Sequence, residues 1–152
     1  MPGVSGGSKG QVKVDVRKGT FENETSDCLL VFWDKQHLDK ISEESILLAF
    51  AGDEVKEMWI EHRRIGSFKK GVILITTGGN LKCQKIFHAA CDLTTIKDTI
   101  KKGLTRADER KMMTVVIPLL HYDTLKIDVD ICGKEIRRAI KELTTLLNVV
   151  QS

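Results

Sequence analysis

Three stretches of the sequence carry side chains that could take part in chemistry. His121, Tyr122 and Asp123 follow an apolar run, and His and Tyr can stack on a nucleotide or donate hydrogen bonds to it. Lys35 lies in a polar segment and could meet a phosphate as a point charge. The stretch Thr77-Gly78-Gly79 could bind an anion through its backbone N–H groups. Each stretch also has a simpler interpretation, namely a packed loop surface, a solvated loop and a hairpin turn, and the sequence leaves both open.

Recognisable catalytic and metal-binding patterns do not emerge from the residue spacing. The cysteines match no zinc or redox signature in their spacing, and we expect buried, reduced thiols; they are Cys28, Cys83, Cys91 and Cys132. His88 lies inside an apolar strand pattern, which favours a core histidine over a catalytic base. We therefore predict no catalytic residue, no metal and no cofactor.

Charge and hydropathy narrow the classes of partner. Lys and Arg number 24 against 21 Asp and Glu, and a net charge of +3 is too mild to indicate nucleic acid. One helical stripe is basic, but acids interrupt it and aromatic residues are missing, so we expect a solvated face; its cations are Lys97, Lys101, Lys102, Arg106 and Arg110. No apolar run approaches the ~20 residues of a membrane span. The first residues lack the apolar core of a secretory signal, so we expect no membrane and no export.

Hydrophobic periodicity predicts the elements that must position these side chains. Val12, Val14 and Val16 alternate with polar residues as in a half-buried strand, whereas 28–33 is apolar throughout, as in a strand covered on both faces. Ser42, Asp92 and Asp130 are candidate helix caps. We predict strands near 12–17, 28–33, 72–77, 85–90 and 113–119, and helices near 42–51, 53–64, 93–110 and 131–148.

The order of these elements predicts an α/β sandwich with helices on both faces of a largely buried sheet. With 41% hydrophobic residues the chain can bury a core, and we expect one domain over 11–152 after a Gly- and Ser-rich flexible leader, 1–10. Ligands of such sheets usually bind beyond the carboxyl ends of the strands. The loops after Trp33, Thr77, Ala90 and Leu120 are therefore the places to look for a site.

The stretch 76–90, TTGGNLKCQKIFHAA, resembles the macro domain family, in which a strand ending in Thr leads through a Gly-Asn-Leu turn to a strand reading Ile-His-Ala. Further landmarks follow in the family's order between about 11 and 148, at 11–20, 27–32, 49–52 and 115–119. Among macro domains, the sequence is similar to the divergent modules of vertebrate ADP-ribosyltransferases of the PARP family, which hold several macro domains. The resemblance implies a three-layer α/β/α sandwich with a mixed central sheet and a cleft for ADP-ribose.

The residues that the resemblance assigns to ligand contact are altered. Thr20 stands where an acid would accept from the adenine amino group, and Phe32 and Lys35 stand where two asparagines would hold the distal ribose. Glycines are missing from 38–45, and 119–126 does not have the glycine-rich pattern of a phosphate loop. The candidate ligand cleft comprises Thr20, Phe32, Lys35, Gly78, Gly79, Asn80, His121, Tyr122 and Asp123.

These departures lead us to expect a degenerate, non-catalytic module with weak or lost ADP-ribose binding. It would act as an interaction or scaffold domain in ADP-ribosylation signalling, with its cleft filled by Phe32, Leu119 and Leu125. The alternative is a macro domain that binds ADP-ribose or a related nucleotide through a remodelled cleft. An ADP-ribosyl hydrolase is the third hypothesis, and the altered loops argue against it.

The surroundings of the domain are also expectations from the resemblance. We expect the domain itself not to be an enzyme, although a larger parent protein could carry ADP-ribosyltransferase activity. Its partners would be proteins or neighbouring domains besides ADP-ribose, with nucleic acid not among them. We expect a nuclear or cytoplasmic location, and a domain that lacks the strand and helix with which the family ends.

Overall fold

The computed structural model of the chain describes residues 12–18, 25–34, 45–119, 129–144 and 149–151. Strands and helices alternate along these residues, as the periodicity predicts. In order they are β1 Val12–Lys18, β2 Ser26–Trp33, α1 Ile46–Ala51, α2 Asp53–Arg64, β3 Ile73–Thr77, β4 Cys83–Ala90, α3 Ile96–Glu109, β5 Thr114–Leu119, α4 Val129–Leu143 and β6 Val149–Gln151.

The strands of the described residues form one mixed sheet in the order β3-β4-β2-β5-β1-β6. The pairs β1–β5, β1–β6, β2–β4 and β2–β5 are parallel, and β3 pairs antiparallel to β4 as the predicted hairpin. Five strands therefore end at one edge of the sheet, which we call the carboxyl edge. The turn between β3 and β4 lies at the opposite edge, which we call the amino edge.

The central strand β2 is buried on both faces, as its unbroken apolar run predicts. Cys28, Leu30 and Phe32 pack among residues of α3 and α4, whereas Leu29, Val31 and Trp33 pack among residues of α1 and α2. Each large apolar side chain buried in this way contributes about 1.5–3 kcal/mol. Two helical layers thus cover the sheet, and the predicted α/β/α sandwich is confirmed.

The layer of α3 and α4 uses part of the predicted basic stripe to join its two helices. Lys97 and Lys101 of α3 both contact the carboxylate of Glu142 on α4, each at 2.9 Å. These two charge-assisted hydrogen bonds lower the pKa of Glu142 to about 2. Lys102 donates to the carbonyl of Gly71 next to β3. Three lysines of the stripe therefore make contacts within the protein, in contrast to the solvated face predicted for it.

Several element ends differ from the predicted bounds. Ser45, whose Oγ accepts from the backbone N–H of Leu48 at 3.3 Å, caps α1, whereas the predicted cap Ser42 lies outside the described residues. Helix α4 already includes Asp130 and ends at Leu143, before the predicted 148. The strand β6 has no counterpart among the predicted strands, because three residues are too few to show a period.

Candidate functional site

The described residues contain four of the nine predicted cleft residues. Phe32, Gly78, Gly79 and Asn80 are described, and the other five lie outside the described residues; they are Thr20, Lys35, His121, Tyr122 and Asp123.

The sheet order brings three predicted loops to neighbouring strand ends. β1, β5 and β2 are adjacent and parallel, and they end at Lys18, Leu119 and Trp33. Neighbouring strands lie about 4.8 Å apart, so these ends form a short row at the carboxyl edge. The segments that carry Thr20, His121 and Lys35 follow these ends within two residues. This convergence makes the carboxyl edge the candidate ligand site.

Phe32 forms part of the core beneath this edge. Its side chain is 2% exposed and packs with Leu119, 7% exposed, on the side of α3 and α4. Strand alternation explains the placement, because Phe32 shares a face with Leu30 whereas Trp33 points to the other face. The structure therefore places Phe32 in the core, and Leu125 lies outside the described residues.

The Gly78-Gly79-Asn80 turn does not lie with the other predicted cleft residues. Ser26, the first residue of β2, pairs with Cys83 and donates its backbone N–H to the carbonyl of Lys82, so the turn is level with the beginning of β2. Trp33 lies seven residues further along β2, about 20 Å away at the strand rise. The grouping of this turn with the carboxyl-edge loops is corrected, because β3 runs antiparallel to β4 and carries the turn to the amino edge.

The turn needs glycine for packing. Gly79 has a φ of +60°, and a Cβ there would lie 2.2 Å from the carbonyl oxygen of Ala51 at the end of α1. The N–H of Asn80 donates to that same carbonyl at 2.8 Å, and the N–H of Gly78 donates to Gln84 at 3.1 Å. The backbone donors of Gly78 and Asn80 are thus used within the fold rather than offered to an anion.

A buried polar chain crosses the layer between the sheet and α2. The indole Nε1 of Trp33 donates to His88 Nδ1 at 3.0 Å, and His88 Nε2 lies 2.9 Å from Thr76 Oγ1. Thr76 donates in turn to the carbonyl of Thr77 at 2.9 Å. Burial lowers the pKa of His88 to about 3, so the imidazole is neutral at pH 7. The predicted core histidine is confirmed, but its partners could not be read from the sequence.

Aromatic rings cover this chain on the side of α2. The rings of Trp33 and Trp59 lie 4.7 Å apart, and Phe68 meets Trp59 edge-on at 5.9 Å. The indole nitrogen of Trp59 is buried and has no hydrogen-bond partner among the described residues. The two neighbouring tryptophans therefore differ, because the indole N–H of Trp33 is hydrogen-bonded and that of Trp59 has no partner among the described residues.

Asp92 organises the loop that leaves β4 at the carboxyl edge. Its Oδ1 accepts from the backbone N–H groups of Thr94 and Thr95 at 3.0 and 3.1 Å, and Lys70 Nζ lies 3.1 Å from Oδ2. Hydrogen bonds from Thr94 and then Lys70 lower the pKa of Asp92. Asp92 thus closes the turn 93–95 instead of capping α3 itself, whose N-cap residue is Thr95, and this turn explains why α3 begins at Ile96 instead of Leu93.

The four cysteines are free, as predicted. Cys28, Cys91 and Cys132 are buried, whereas Cys83 is half-buried. Burial raises the pKa of Cys91 and Cys132 to about 12 and that of Cys83 to about 11. These thiols are protonated at pH 7 and are therefore poor nucleophiles.

A Ser–His contact occurs at the end of α2. His62 Nδ1 lies 2.8 Å from Ser67 Oγ, and Ser67 Oγ donates to the carbonyl of His62 at 3.1 Å. Because the hydroxyl proton is used in that bond, the serine accepts from His62 Nδ1–H. The pair closes the helix end, and the histidine is not placed to activate the serine.

Within the described ranges, no group of three or more His, Cys, Asp or Glu side chains could hold a metal ion. No helix within the same ranges is long and apolar enough to cross a membrane.

The sequence similarity of this chain to known proteins is limited. No family model matches the chain. An uncharacterized protein of Sulfolobus acidocaldarius is 27% identical over 86 residues, which cover 53% of this chain and 48% of that protein. The match thus spans about half the length of that curated relative.

The similarity of the fold to solved structures is much more extensive. The macrodomain of Mycobacterium tuberculosis DarG superposes with a TM-score of 0.66 at 13% identity, covering 90% of this chain and 95% of that one. The GDAP2 macro domain gives 0.67 at 15% identity, covering 92% and 76%. A mutant Oceanobacillus iheyensis macrodomain with ADPR gives 0.68 at 14% identity, covering 90% and 81%.

The sequence-based prediction that this domain is not an enzyme is wrong. The finding that overturns it is that the chain shares its fold with the macrodomains of DarG and Oceanobacillus iheyensis, because this fold does not exclude catalytic activity. The exclusion also depended on Lys35 and 120–126, which lie outside the described residues.

The similarity extends over nearly the whole chain. The matched structures cover at least 90% of it with TM-scores of 0.65–0.70. The mixed sheet between two helical layers is the arrangement that the resemblance at 76–90 implies. The chain therefore has the macrodomain fold.

Proposed function

We propose that this domain binds ADP-ribose weakly at the carboxyl edge and serves as an interaction module in ADP-ribosylation signalling. The observation that carries the proposal is the macrodomain fold, because one of the matched structures with this fold has ADPR bound. The adjacent ends of β1, β5 and β2 support it, because three candidate loops then begin side by side.

Weak binding follows from the residues at the resembling positions. Thr20 replaces an acid, and Phe32 and Lys35 replace two amides. The bond lost with the acid costs about 1.5–3 kcal/mol, and each neutral bond lost with the amides costs about 0.5–1.5 kcal/mol. Together these losses weaken binding about a hundredfold or more, which brings a micromolar affinity to a Kd on the order of 0.1 mM or above. A solvated lysine recovers about 1 kcal/mol or less of attraction to a phosphate, and we expect no more than this from Lys35.

A scaffold function without nucleotide is the second candidate. It is favoured by the burial of Phe32 and Leu119, which fill the space below the carboxyl edge with apolar side chains. In that case neighbouring domains or other proteins would be the partners.

The setting of the domain is part of the same proposal. We infer that it belongs with modules of larger ADP-ribosyltransferases, in which several macro domains stand together. A nuclear or cytoplasmic location is supported by the four free thiols, which suit a reducing compartment.

Titration of the ¹⁵N-labelled protein with ADP-ribose up to several millimolar tests this function. We expect saturable shifts of the amides of Asp34, Cys91 and Leu119, with AMP at equal concentration causing smaller ones. Lys35→Glu should weaken binding severalfold, because it puts a negative charge near the candidate phosphate position.

The matched control is Lys82→Glu, which changes an exposed lysine at the amino edge. It should leave the affinity unchanged. Equal effects of the two substitutions, or the absence of shifts at the carboxyl edge, would contradict ADP-ribose binding there and leave the scaffold function.

A further inference from the structure

Trp33, the last residue of β2, is held at two points. Its carbonyl accepts from the N–H of Cys91 at 3.0 Å, and its indole Nε1 donates to His88 Nδ1 at 3.0 Å. The first bond ties the end of β2 to the residue after β4. The second fixes the direction of the side chain.

Proton accounting leaves one arrangement for His88. Because Nδ1 accepts from the indole, Nε2 carries the imidazole proton and donates to Thr76 Oγ1. The Thr76 hydroxyl keeps its own proton for the carbonyl of Thr77. Every donor and acceptor in this hydrogen-bond chain is therefore matched. The hydrogen bonds connect β2 through β4 to β3 without a break.

Burial makes these hydrogen bonds energetically costly to break. Trp33 and His88 are fully buried and Thr76 is 1% exposed. The neighbouring rings of Trp59 and Phe68 offer no replacement hydrogen bond of ordinary strength. A buried polar group that loses its partner pays its full desolvation cost, so the indole of Trp33 stays where His88 holds it.

We propose that His88 is a positioning residue for the ADP-ribose site, acting through Trp33. By orienting the indole it holds the end of β2 at Trp33, directly before Asp34. Through the Cys91 N–H it also holds the start of the loop organised by Asp92. The inference rests on the proposed function, and it assigns to a histidine remote from the surface a role in ligand affinity.

Two tryptophan substitutions give a matched comparison. Trp33→Phe and Trp59→Phe remove the same atoms from fully buried rings that touch each other, but only the first removes a hydrogen bond. Both variants should lose thermal stability through the shared loss of volume, and Trp33→Phe should lose more, because it also leaves the buried His88 Nδ1 without its donor. Trp33→Phe should weaken ADP-ribose binding about tenfold or more, whereas Trp59→Phe should change it less than twofold.

The histidine itself is tested by conservative rescue. His88→Gln keeps one acceptor and one donor and should retain most of the affinity. His88→Leu leaves Trp33 and Thr76 unpaired and should behave like Trp33→Phe. Equal weakening by Trp33→Phe and Trp59→Phe, or equal behaviour of the two His88 variants, would overturn the inference.

Two measurements keep the test decisive. If Trp33→Phe does not fold, the unmodified protein is used, in which ADP-ribose should shift the indole resonance of Trp33 and not that of Trp59. If the unmodified protein shows no ADP-ribose shifts at all, the proposed function fails. Positioning is then judged by the amides of Asp34 and Cys91, which should shift in Trp33→Phe and not in Trp59→Phe.

Discussion

At the residue scale, a few side chains have functions that depend on complete burial. His88 illustrates this, because an exposed imidazole would titrate near pH 6.5, whereas burial lowers the pKa of His88 to about 3. Gly79 is exposed and is constrained differently, because the carbonyl oxygen of Ala51 occupies the space that a Cβ would need.

The pKa of His88 predicts an acid-sensitive stability. The folded state holds His88 neutral, so the unfolded state binds one more proton as the pH falls below about 6.5. Stability is fully present above that pH and is lost as the pH falls toward about 3. We expect a loss of about 1.4 kcal/mol per pH unit between roughly pH 6 and 4.5 from this residue.

Urea denaturation at several pH values measures this slope. His88→Gln has no titratable group there, so its unfolding free energy should fall less steeply over the same range. Identical slopes in the two proteins would show that His88 is not the source. The window lies above the ordinary pKa of carboxylates, which keeps Asp92 and Glu142 from contributing much.

Gly79→Ala should destabilise the fold by about 2 kcal/mol or more, because it combines a left-handed φ with a clash against the Ala51 carbonyl. The control is Gly66→Ala, where φ is +79° but no atom lies within 4 Å of the added Cβ. That variant should lose about 1 kcal/mol. Chemical denaturation of both proteins decides the matter, and equal losses would rule out the clash as the cause.

At the element scale, caps and charge pairs set where helices begin and how they join. Asp92 ends the exit from β4 in a closed turn, so α3 begins three residues later than its apolar period predicts. Glu142 joins α4 to two lysines of α3. Both carboxylates have lowered pKa values, so both contacts weaken only in strong acid.

Two substitutions of Asp92 separate its turn-closing hydrogen bonds from its ion pair. Asp92→Ala removes both and should cost about 0.5–2 kcal/mol, the range found for comparable bonds from a side chain to the backbone at helix caps. Asp92→Asn keeps an oxygen for Thr94 and Thr95 and loses only the charge toward Lys70, so it should cost less. Urea unfolding at pH 7 measures both variants, and equal losses would mean that the ion pair carries the effect.

At the scale of the whole molecule, the order of the strands decides which loops can form a site. β1, β5 and β2 stand side by side although β5 follows β2 by about eighty residues in the sequence. The antiparallel direction of β3 sends the glycine turn to the other edge. A ligand at the carboxyl edge would therefore lie at the ends of β1, β2, β4 and β5, and not at Gly78 or Gly79.

The sequence by itself determined the local and periodic features of this protein. The unbroken apolar run at 28–33, the spacing from Ile96 to Ala107 and the turn at Gly78 specified a strand covered on two faces, an amphipathic helix and a hairpin, because each depends on side chains close together in the chain. Only the tertiary structure decided which strand ends meet, that Trp33 and His88, 55 residues apart, share a hydrogen bond, and that Phe32 is core. Parallel pairing joins distant segments through backbone bonds that every residue type can make, and for that reason no local pattern of side chains could reveal it.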